Sequence, residues 1–228
     1  MKYNIFSICT EEYKDALNLV IPYWSQHSNV DMIYIYTDFE VHVSDPKVRI
    51  VPKLEKTVKW IDAVGLKATA LQYFLKSYYV SEFVFLDIDC FLVKDVSEVF
   101  SYNFDIAPTR MYGKKVANSG VWFCKRSKAL ERFTEEWISL QNHYRKLGIG
   151  IQSHRSPYEQ ISFSNIVHRE HEKNQYLKVH PLDENIYNCE SDDTTEWLNK
   201  VNLYKPKIIH FKGRRWREPS LLQILKQQ

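Results

Sequence analysis

The sequence predicts a single α/β domain with a mostly parallel central sheet flanked by helices. Strand-like apolar runs alternate with amphipathic helical segments in the first half, a pattern typical of parallel sheets covered on both faces. One buried strand ends in two carboxylates, and such sheets bind ligands at the carboxyl ends of their strands. The 228 residues suffice for one domain with a full core and are few for two.

The first half of the chain carries the clearest periodicity. Residues 3–10 are expected to form a buried strand, and Glu12 to about Trp24 a helix with apolar side chains at helical spacing. A second strand is predicted over Met32–Tyr36 and a short third strand over 47–51. Residues 64–79 again repeat apolar positions at helical spacing and lead into the strand that carries the two aspartates.

The second half is predicted to be more irregular. Short strands are expected over 105–108 and 120–124, followed by a helix over 127–144 that Gly148 ends. The residues Ser156-Pro157-Tyr158-Glu159 have the chemistry of a helix start.

The last part of the chain is predicted to hold one more strand. The stretch 191–207 is polar and is expected to be a surface excursion. Residues Ile208–Phe211 are then predicted to form a final strand, which a basic segment follows.

Charge and cysteine content exclude several classes of protein. The 31 basic and 28 acidic side chains give a net charge of +3, far from the basic excess of a nucleic-acid binder. No C-x-x-C pair occurs, so buried free thiols in a reducing compartment are expected rather than disulfides or a zinc site. The four cysteines are Cys9, Cys90, Cys124 and Cys189.

The apolar segments of the chain are short. No apolar run approaches the roughly 20 residues that span a bilayer, and no signal-type segment precedes the first strand. We therefore expect a cytoplasmic protein with at most peripheral membrane contact.

The most informative motif is the D-x-D of Asp87 and Asp89 inside the apolar run Val84–Val93. Two bare carboxylates are tolerable there only at a strand end that faces a cavity or a cation. Alternation along a strand would place both on the same face, where they suit a hard divalent ion such as Mg²⁺ or Mn²⁺ that carries substrate phosphates. A strand ending in an Asx-type turn is the alternative.

Several short segments together resemble the nucleotide-sugar glycosyltransferases of the GT-A fold. The chain is most similar to glycosyltransferase family eight, the glycogenin-like and bacterial galactosyltransferase group, and to its viral and bacterial relatives. The matching segments, in order, are Thr10–Tyr13, Phe85–Asp89, Asn118–Val121, Glu159-Gln160, Leu182–Asn188 and His210–Gly213.

The resemblance implies a metal site and a division of the chain. Asp87, Asp89 and His210 would hold the metal, and an imidazole ligand favours Mn²⁺ over Mg²⁺. The alternative for His210 is a core histidine bonded to the main chain. About residues 1–95 would form a nucleotide-binding half and about 96–228 an acceptor-binding half.

The resemblance also implies the residues that contact the donor. Thr10 and Tyr13 would meet the base, although core packing explains Tyr13 equally well. Lys67 would meet the phosphate or sugar, unless it snorkels to the surface. The set expected at the donor is completed by Asp38, Ile88, Gly213, Arg214 and Arg215.

Several positions depart from the family pattern or have an alternative explanation. After the histidine and glycine, family members usually show lysine, proline and tryptophan, whereas Arg214 to Arg217 stand here; an arginine can replace the phosphate-binding lysine. Asn118 and Ser119 would approach the sugar, with a simple turn as the alternative. Glu159 would face the transferred sugar, or it completes a helix-capping box with Ser156.

The function implied is transfer of a sugar from a UDP-type or GDP-type donor to an acceptor hydroxyl on a glycan, lipid or protein, with retention of configuration. Asp89, Glu159, Asn118 and Lys67 are the residues expected to act in catalysis. A metal-dependent nucleotidyltransferase or phosphatase is a rival among enzymes. A non-catalytic module that binds sugar nucleotides or glycans is the rival outside them.

Overall fold

The predicted α/β architecture is confirmed. The structure is a computed structural model, and it describes residues 1–51, 65–109, 111, 116–149, 158–190, 193–211 and 225. They form one domain with a six-stranded, mostly parallel sheet flanked by helices, and a separate two-stranded sheet. The described strands are β1 Tyr3–Cys9, β2 Val30–Thr37, β3 Val48–Val51, β4 Glu82–Leu86, β5 Cys90–Leu92, β6 Ile106–Thr109, β7 Asn118–Lys125 and β8 Ile208–His210.

The order of strands in the large sheet is β3-β2-β1-β4-β7-β6. The first four run parallel, and β7 runs antiparallel to both of its neighbours. Strand order reverses between β1 and β4, so this is the point at which an open parallel sheet leaves a crevice for a ligand. The carboxyl end of β4 and the start of β7 therefore lie at the same edge.

Helices cover both faces of this sheet because neighbouring residues of its central strands point to opposite sides. Ile5 and Val84 belong to a core shared with the first and last long helices, whereas Phe6 and Phe85 pack with the three helices between them. The described α-helices are α1 Lys14–Ser25, α2 Lys67–Ser77, α3 Lys128–Lys146, α4 Tyr158–Lys173, α5 Glu184–Tyr187 and α6 Thr194–Tyr204. Short 3₁₀ helices cover Glu11–Tyr13 and Ser97–Ser101.

Local chemistry explains the bounds of α3. The Ser127 hydroxyl accepts a hydrogen bond from the main-chain N–H of Leu130, which satisfies one free donor of the first turn. Gly148 follows the helix with a φ of +70°, a left-handed conformation that favours glycine. Both ends agree with the sequence prediction.

One expectation about the last third was wrong. The polar stretch 191–207 was expected to be a surface excursion, but its described part contains α6, which Asp193 caps through the N–H of Glu196. Trp197 and Val201 are buried, and the Trp197 ring lies 5.1 Å from that of Phe211. Two buried side chains one turn apart are enough to dock an otherwise polar helix.

All four cysteines are buried and free, as expected. None of the described helices has the length and apolarity needed to cross a membrane.

Candidate functional site

The candidate site lies where β4 ends and β7 begins. Asp87 directly follows β4, and its main-chain N–H donates to Gly120 O at 2.8 Å, which ties the turn to β7. β8 pairs with β5 in the small sheet, with Cys90 opposite His210. This pairing brings the last predicted strand to the D-x-D motif from far along the chain.

The two aspartates do not lie on a strand. β4 ends at Leu86 and β5 begins at Cys90, and the residues between form a turn closed by Cys90 N donating to Asp87 O at 2.9 Å. The expectation that strand alternation places both carboxylates on one face was therefore wrong. Each carboxylate instead has its own basic partner, Lys67 for Asp87 and His210 for Asp89.

Asp87 pairs with Lys67, the first residue of α2. The Lys67 ammonium lies 2.8 Å from Asp87 Oδ1 and 3.1 Å from Oδ2, and it donates to Ser119 O at 3.1 Å. Lys67 is only 8% exposed, so it does not snorkel to the surface. Burial lowers the pKa of Lys67, but the charges of Asp87 and Glu159 outweigh it and raise the pKa above its usual value.

Asp89 pairs with His210. His210 Nε2 lies 3.2 Å from Asp89 Oδ1, and the main-chain N–H of Phe211 donates to Asp89 O at 2.9 Å. Burial alone would lower the pKa of His210, but Cys90 and Asp89 raise it well above the usual value. The alternative of a core histidine bonded only to the main chain does not describe this contact.

Cys90 is a site residue that the sequence reasoning missed. Its thiol, an Asp89 carboxylate oxygen and a His210 ring nitrogen lie within 4.8 Å of one another, and all three residues are buried. Oxygen, imidazole and thiol donors at this spacing fit a divalent transition metal. The position of Cys90 directly after the motif was the available signal, but its partner lies in β8.

Gly120 allows the side chains of the candidate site to pack close together. A Cβ at this position would lie 2.6 Å from Asp87 Oδ2 and 2.9 Å from both Asn118 Oδ1 and His210 Cε1. The side chains of Asp87, Asn118 and His210 therefore converge on space that the Cβ of any other residue at position 120 would fill. Asn118 accepts from Gly120 N at 2.6 Å and donates to Glu190 Oε2 at 3.2 Å.

Glu159 lies behind this cluster at the start of α4. It is fully buried, its Oε2 accepts from the Ser119 hydroxyl at 3.1 Å, and its Oε1 has no hydrogen-bond partner within the described part of the chain. Burial raises the pKa of Glu159 to about 7, although Lys67 opposes the shift. Ser156, the proposed capping partner, falls outside the described residues.

Residues predicted to bind the nucleotide lie at the ends of β1 and β2. Asp38 accepts from the main-chain N–H of Glu11 at 2.9 Å, and Tyr13 N donates to Thr10 O at 2.8 Å. Tyr13 is half-buried against the core, and the Ile88 side chain belongs to that core.

The last predicted donor residues, Gly213, Arg214 and Arg215, lie outside the described residues. Asp183 was not among the predicted site residues; it caps α5 by accepting from Asn185 N at 2.9 Å.

The fold and a family model agree on what the chain resembles. It superposes on the apo form of the glycosyltransferase GlyE of Streptococcus pneumoniae TIGR4 with a TM-score of 0.59 at 13% identity, over 100% of this chain and 60% of the GlyE chain. It also superposes on a glycosyltransferase involved in the glycosylation of the major capsid of PBCV-1, with a TM-score of 0.61 at 14% identity over the whole of both chains. A search of curated protein sequences gives no match.

A family model for nucleotide-diphospho-sugar transferases matches residues 26–218, which include Asp87, Asp89 and His210. The chain therefore belongs to the nucleotide-diphospho-sugar transferase family.

Proposed function

We propose that this protein is a metal-dependent glycosyltransferase that moves a hexosyl or pentosyl group from a UDP-type or GDP-type donor to an acceptor hydroxyl. The observation that carries the proposal is the buried Asp89–His210 pair at the carboxyl end of β4, where the order of strands reverses. The closer likeness to glycosyltransferase family eight stays a prediction. The acceptor would be a glycan, a lipid or a protein.

The metal would be held by Asp87, Asp89 and His210. The donor set fits such an ion, since Asp89, Cys90 and His210 offer ligand atoms within 4.8 Å of one another, and the Asp87 carboxylate and the His210 ring both lie next to Gly120. The imidazole favours Mn²⁺ over Mg²⁺, and so does the neighbouring thiol. When bound, the ion would supply charge neutralisation for the leaving diphosphate.

The chain's own residues would position the donor. Thr10, Tyr13 and Asp38 would meet the nucleotide at the ends of β1 and β2, with the main chain at Ile88. Lys67 would move from Asp87 to the donor phosphate or sugar, and Gly213, Arg214 and Arg215 would complete the phosphate site. Residues 1–95 then serve mainly the donor and 96–228 mainly the acceptor.

Retention of configuration is proposed from the resemblance to glycosyltransferase family eight. It is supported by the hydrogen bonds of Glu159 and Asp183, the two carboxylates that would be candidates for the base of an inverting reaction. Glu159 Oε2 is held by Ser119, and Asp183 caps α5. The departing phosphate would then help to deprotonate the acceptor on the same face of the sugar. Asn118 and Glu159 would contact the transferred sugar and hold it for that step.

The four buried free thiols fit a reducing, cytoplasmic setting. The small net charge gives no support for a nucleic-acid partner.

A thermal-shift panel of UDP-sugars and GDP-sugars, each with and without Mn²⁺, tests the proposal. A donor that binds only the folded protein raises its melting temperature, and the rise should require the metal. Product analysis with that donor then separates the rivals. Release of nucleotide without sugar transfer to any acceptor would favour a phosphatase or nucleotidyltransferase, and binding without turnover would favour a binding module.

A further inference from the structure

Two buried polar side chains link the main chain of β7 to the imidazole of His210. The Thr109 hydroxyl lies 3.1 Å from Val121 O, and Asn188 Nδ2 lies 2.9 Å from Thr109 Oγ1. Asn188 Oδ1 lies 2.9 Å from His210 Nδ1. Thr109 and Asn188 are both fully buried, so bulk water does not compete for these bonds.

The direction of each bond follows from what each group can donate. A carbonyl oxygen only accepts, so the Thr109 hydroxyl gives its single hydrogen to Val121 O. Thr109 Oγ1 then accepts, which turns the NH₂ of Asn188 toward Thr109 and its carbonyl oxygen toward His210. The Nδ1 of His210 must therefore donate.

Glu190 supports the same direction. Its Oε2 lies 3.5 Å from His210 Nδ1, and an ionised carboxylate only accepts. A reversed Asn188 amide would leave Thr109 Oγ1 and Val121 O 3.1 Å apart with no hydrogen between them. It would also point a lone pair of Nδ1 at Glu190.

The main chain holds both linking residues in place. Leu182 N donates to Pro108 O at 2.9 Å, which ties the segment before Asn188 to β6 beside Thr109. His210 N donates to Cys189 O at 3.0 Å, which ties β8 to the residue after Asn188. These bonds fix the main chain of Asn188, and its amide is held by burial and by the bonds to Thr109 and His210.

We infer that Thr109 and Asn188 are positioning residues that hold His210 as the Nδ1–H tautomer and so present the Nε2 lone pair toward Asp89. In this tautomer Nε2 and Asp89 Oδ1, 3.2 Å apart, are both electron-pair donors, so a cation lies between them: a proton in the metal-free protein, which a metal ion would replace. A histidine that ligates a metal commonly has its other ring nitrogen fixed in this way. The inference rests on the proposed metal role of this pair.

Paired substitutions test the two residues by the Mn²⁺ affinity of the donor-free protein, measured by electron paramagnetic resonance. Thr109→Val removes the hydroxyl with little change of shape, and Asn188→Leu removes the acceptor of Nδ1. Each should weaken Mn²⁺ binding by about 10- to 100-fold. Thr109→Ser, which restores the hydroxyl, should bind Mn²⁺ close to the parent. Asn188→Asp keeps the acceptor of Nδ1 but loses the donor to Thr109, and it should weaken Mn²⁺ binding less than Asn188→Leu.

Thr134→Val is the matched control, because it removes another buried hydroxyl that is bonded within α3, at Leu130 O. It should leave Mn²⁺ affinity unchanged. Parental affinity in both Thr109→Val and Asn188→Leu would overturn the inference.

Zinc gives a readout that a loss of stability would not imitate. With Zn²⁺ alone and ¹⁵N-labelled histidine, the ring nitrogens report which one holds the metal and which one holds the proton. We expect zinc on Nε2 and the proton on Nδ1, with this form diminished in Thr109→Val. Zinc on Nδ1 would overturn the tautomer and leave the metal role standing, whereas no response of His210 to Zn²⁺ or Mn²⁺ would overturn both.

Discussion

Lys67 and Asp87 form an ion pair in which the ammonium contacts both carboxylate oxygens, at 2.8 and 3.1 Å. The ammonium group of Lys67 thus lies on the side of Asp87 that would otherwise be open to a metal ion or to the phosphate of a donor. In the donor-free protein Lys67 acts as a counter-ion for the motif. A bound donor offers it a second anionic partner.

Removing the Lys67 charge should separate metal binding from catalysis. In Lys67→Met the apolar stem remains, and we expect the donor-free protein to bind Mn²⁺ about 10-fold more tightly because a competing cation is gone. With donor, kcat/KM should fall by an amount worth about 2 kcal/mol. The stability cost should be modest, because the Asp87 side chain is 28% exposed and stays hydrated. Lys76→Met, on an exposed position of the same helix, is the control; unchanged kinetics in Lys67→Met would assign the lysine to packing.

Asp89→Asn should abolish turnover while the fold remains intact. It removes the charge of a carboxylate that faces His210 and that we propose as a metal ligand, and an increase of several kcal/mol in activation free energy is expected at such positions. A chelator should have the same effect on the parent protein. Circular dichroism checks the fold, and Asp183→Asn should stay active because asparagine also caps a helix. Activity that survives both the substitution and the chelator would show that the metal assignment is wrong.

Glu159 should make stability depend on pH. Its folded pKa of about 7 lies above the usual value of 4.5, so its contribution to stability is fully present below about pH 4.5 and is lost as pH rises through about 7. Glu159→Gln removes this loss, worth about 3 kcal/mol at most. Urea unfolding at pH 5 and pH 8 should show a smaller decrease for the variant than for the parent. Equal decreases would mean that Glu159 ionises as an ordinary carboxylate.

The stereochemistry of the product tests the retaining assignment. An α-linked donor should give an α-linked product, and Glu159→Gln should lose far less activity than Asp89→Asn. The anomeric proton in an NMR spectrum of the product identifies the linkage. A β-linked product from an α-linked donor would promote Glu159 or Asp183 to candidate base.

The architecture could be predicted because helices and strands place apolar residues at regular intervals over short stretches of sequence. The strands β1, β2 and β4 and the helices α1 and α3 follow from apolar spacing and from caps such as Ser127. The helix α6 was missed because only Trp197 and Val201 mark its buried side.

The surroundings of the proposed metal ligands could be predicted only in part. Asp87 and Asp89 stand out in an apolar run, whereas the turn that carries them is set by a hydrogen bond to Gly120 in a different strand. Cys90 and Asn188 owe their places to β8, which joins the motif from far along the chain. Contacts of that range leave no periodic trace in a sequence.

The pairing of β5 with β8 also sets when the site can exist during synthesis. A ribosome-bound chain that has not yet released residues 208–210 already holds both aspartates, but it lacks the imidazole that faces Asp89. A domain generally folds as a unit, so the proposed metal site forms only after β8 has emerged and can pair with β5. An unfinished chain would therefore lack the imidazole of the site and would be poorly equipped to act on donor.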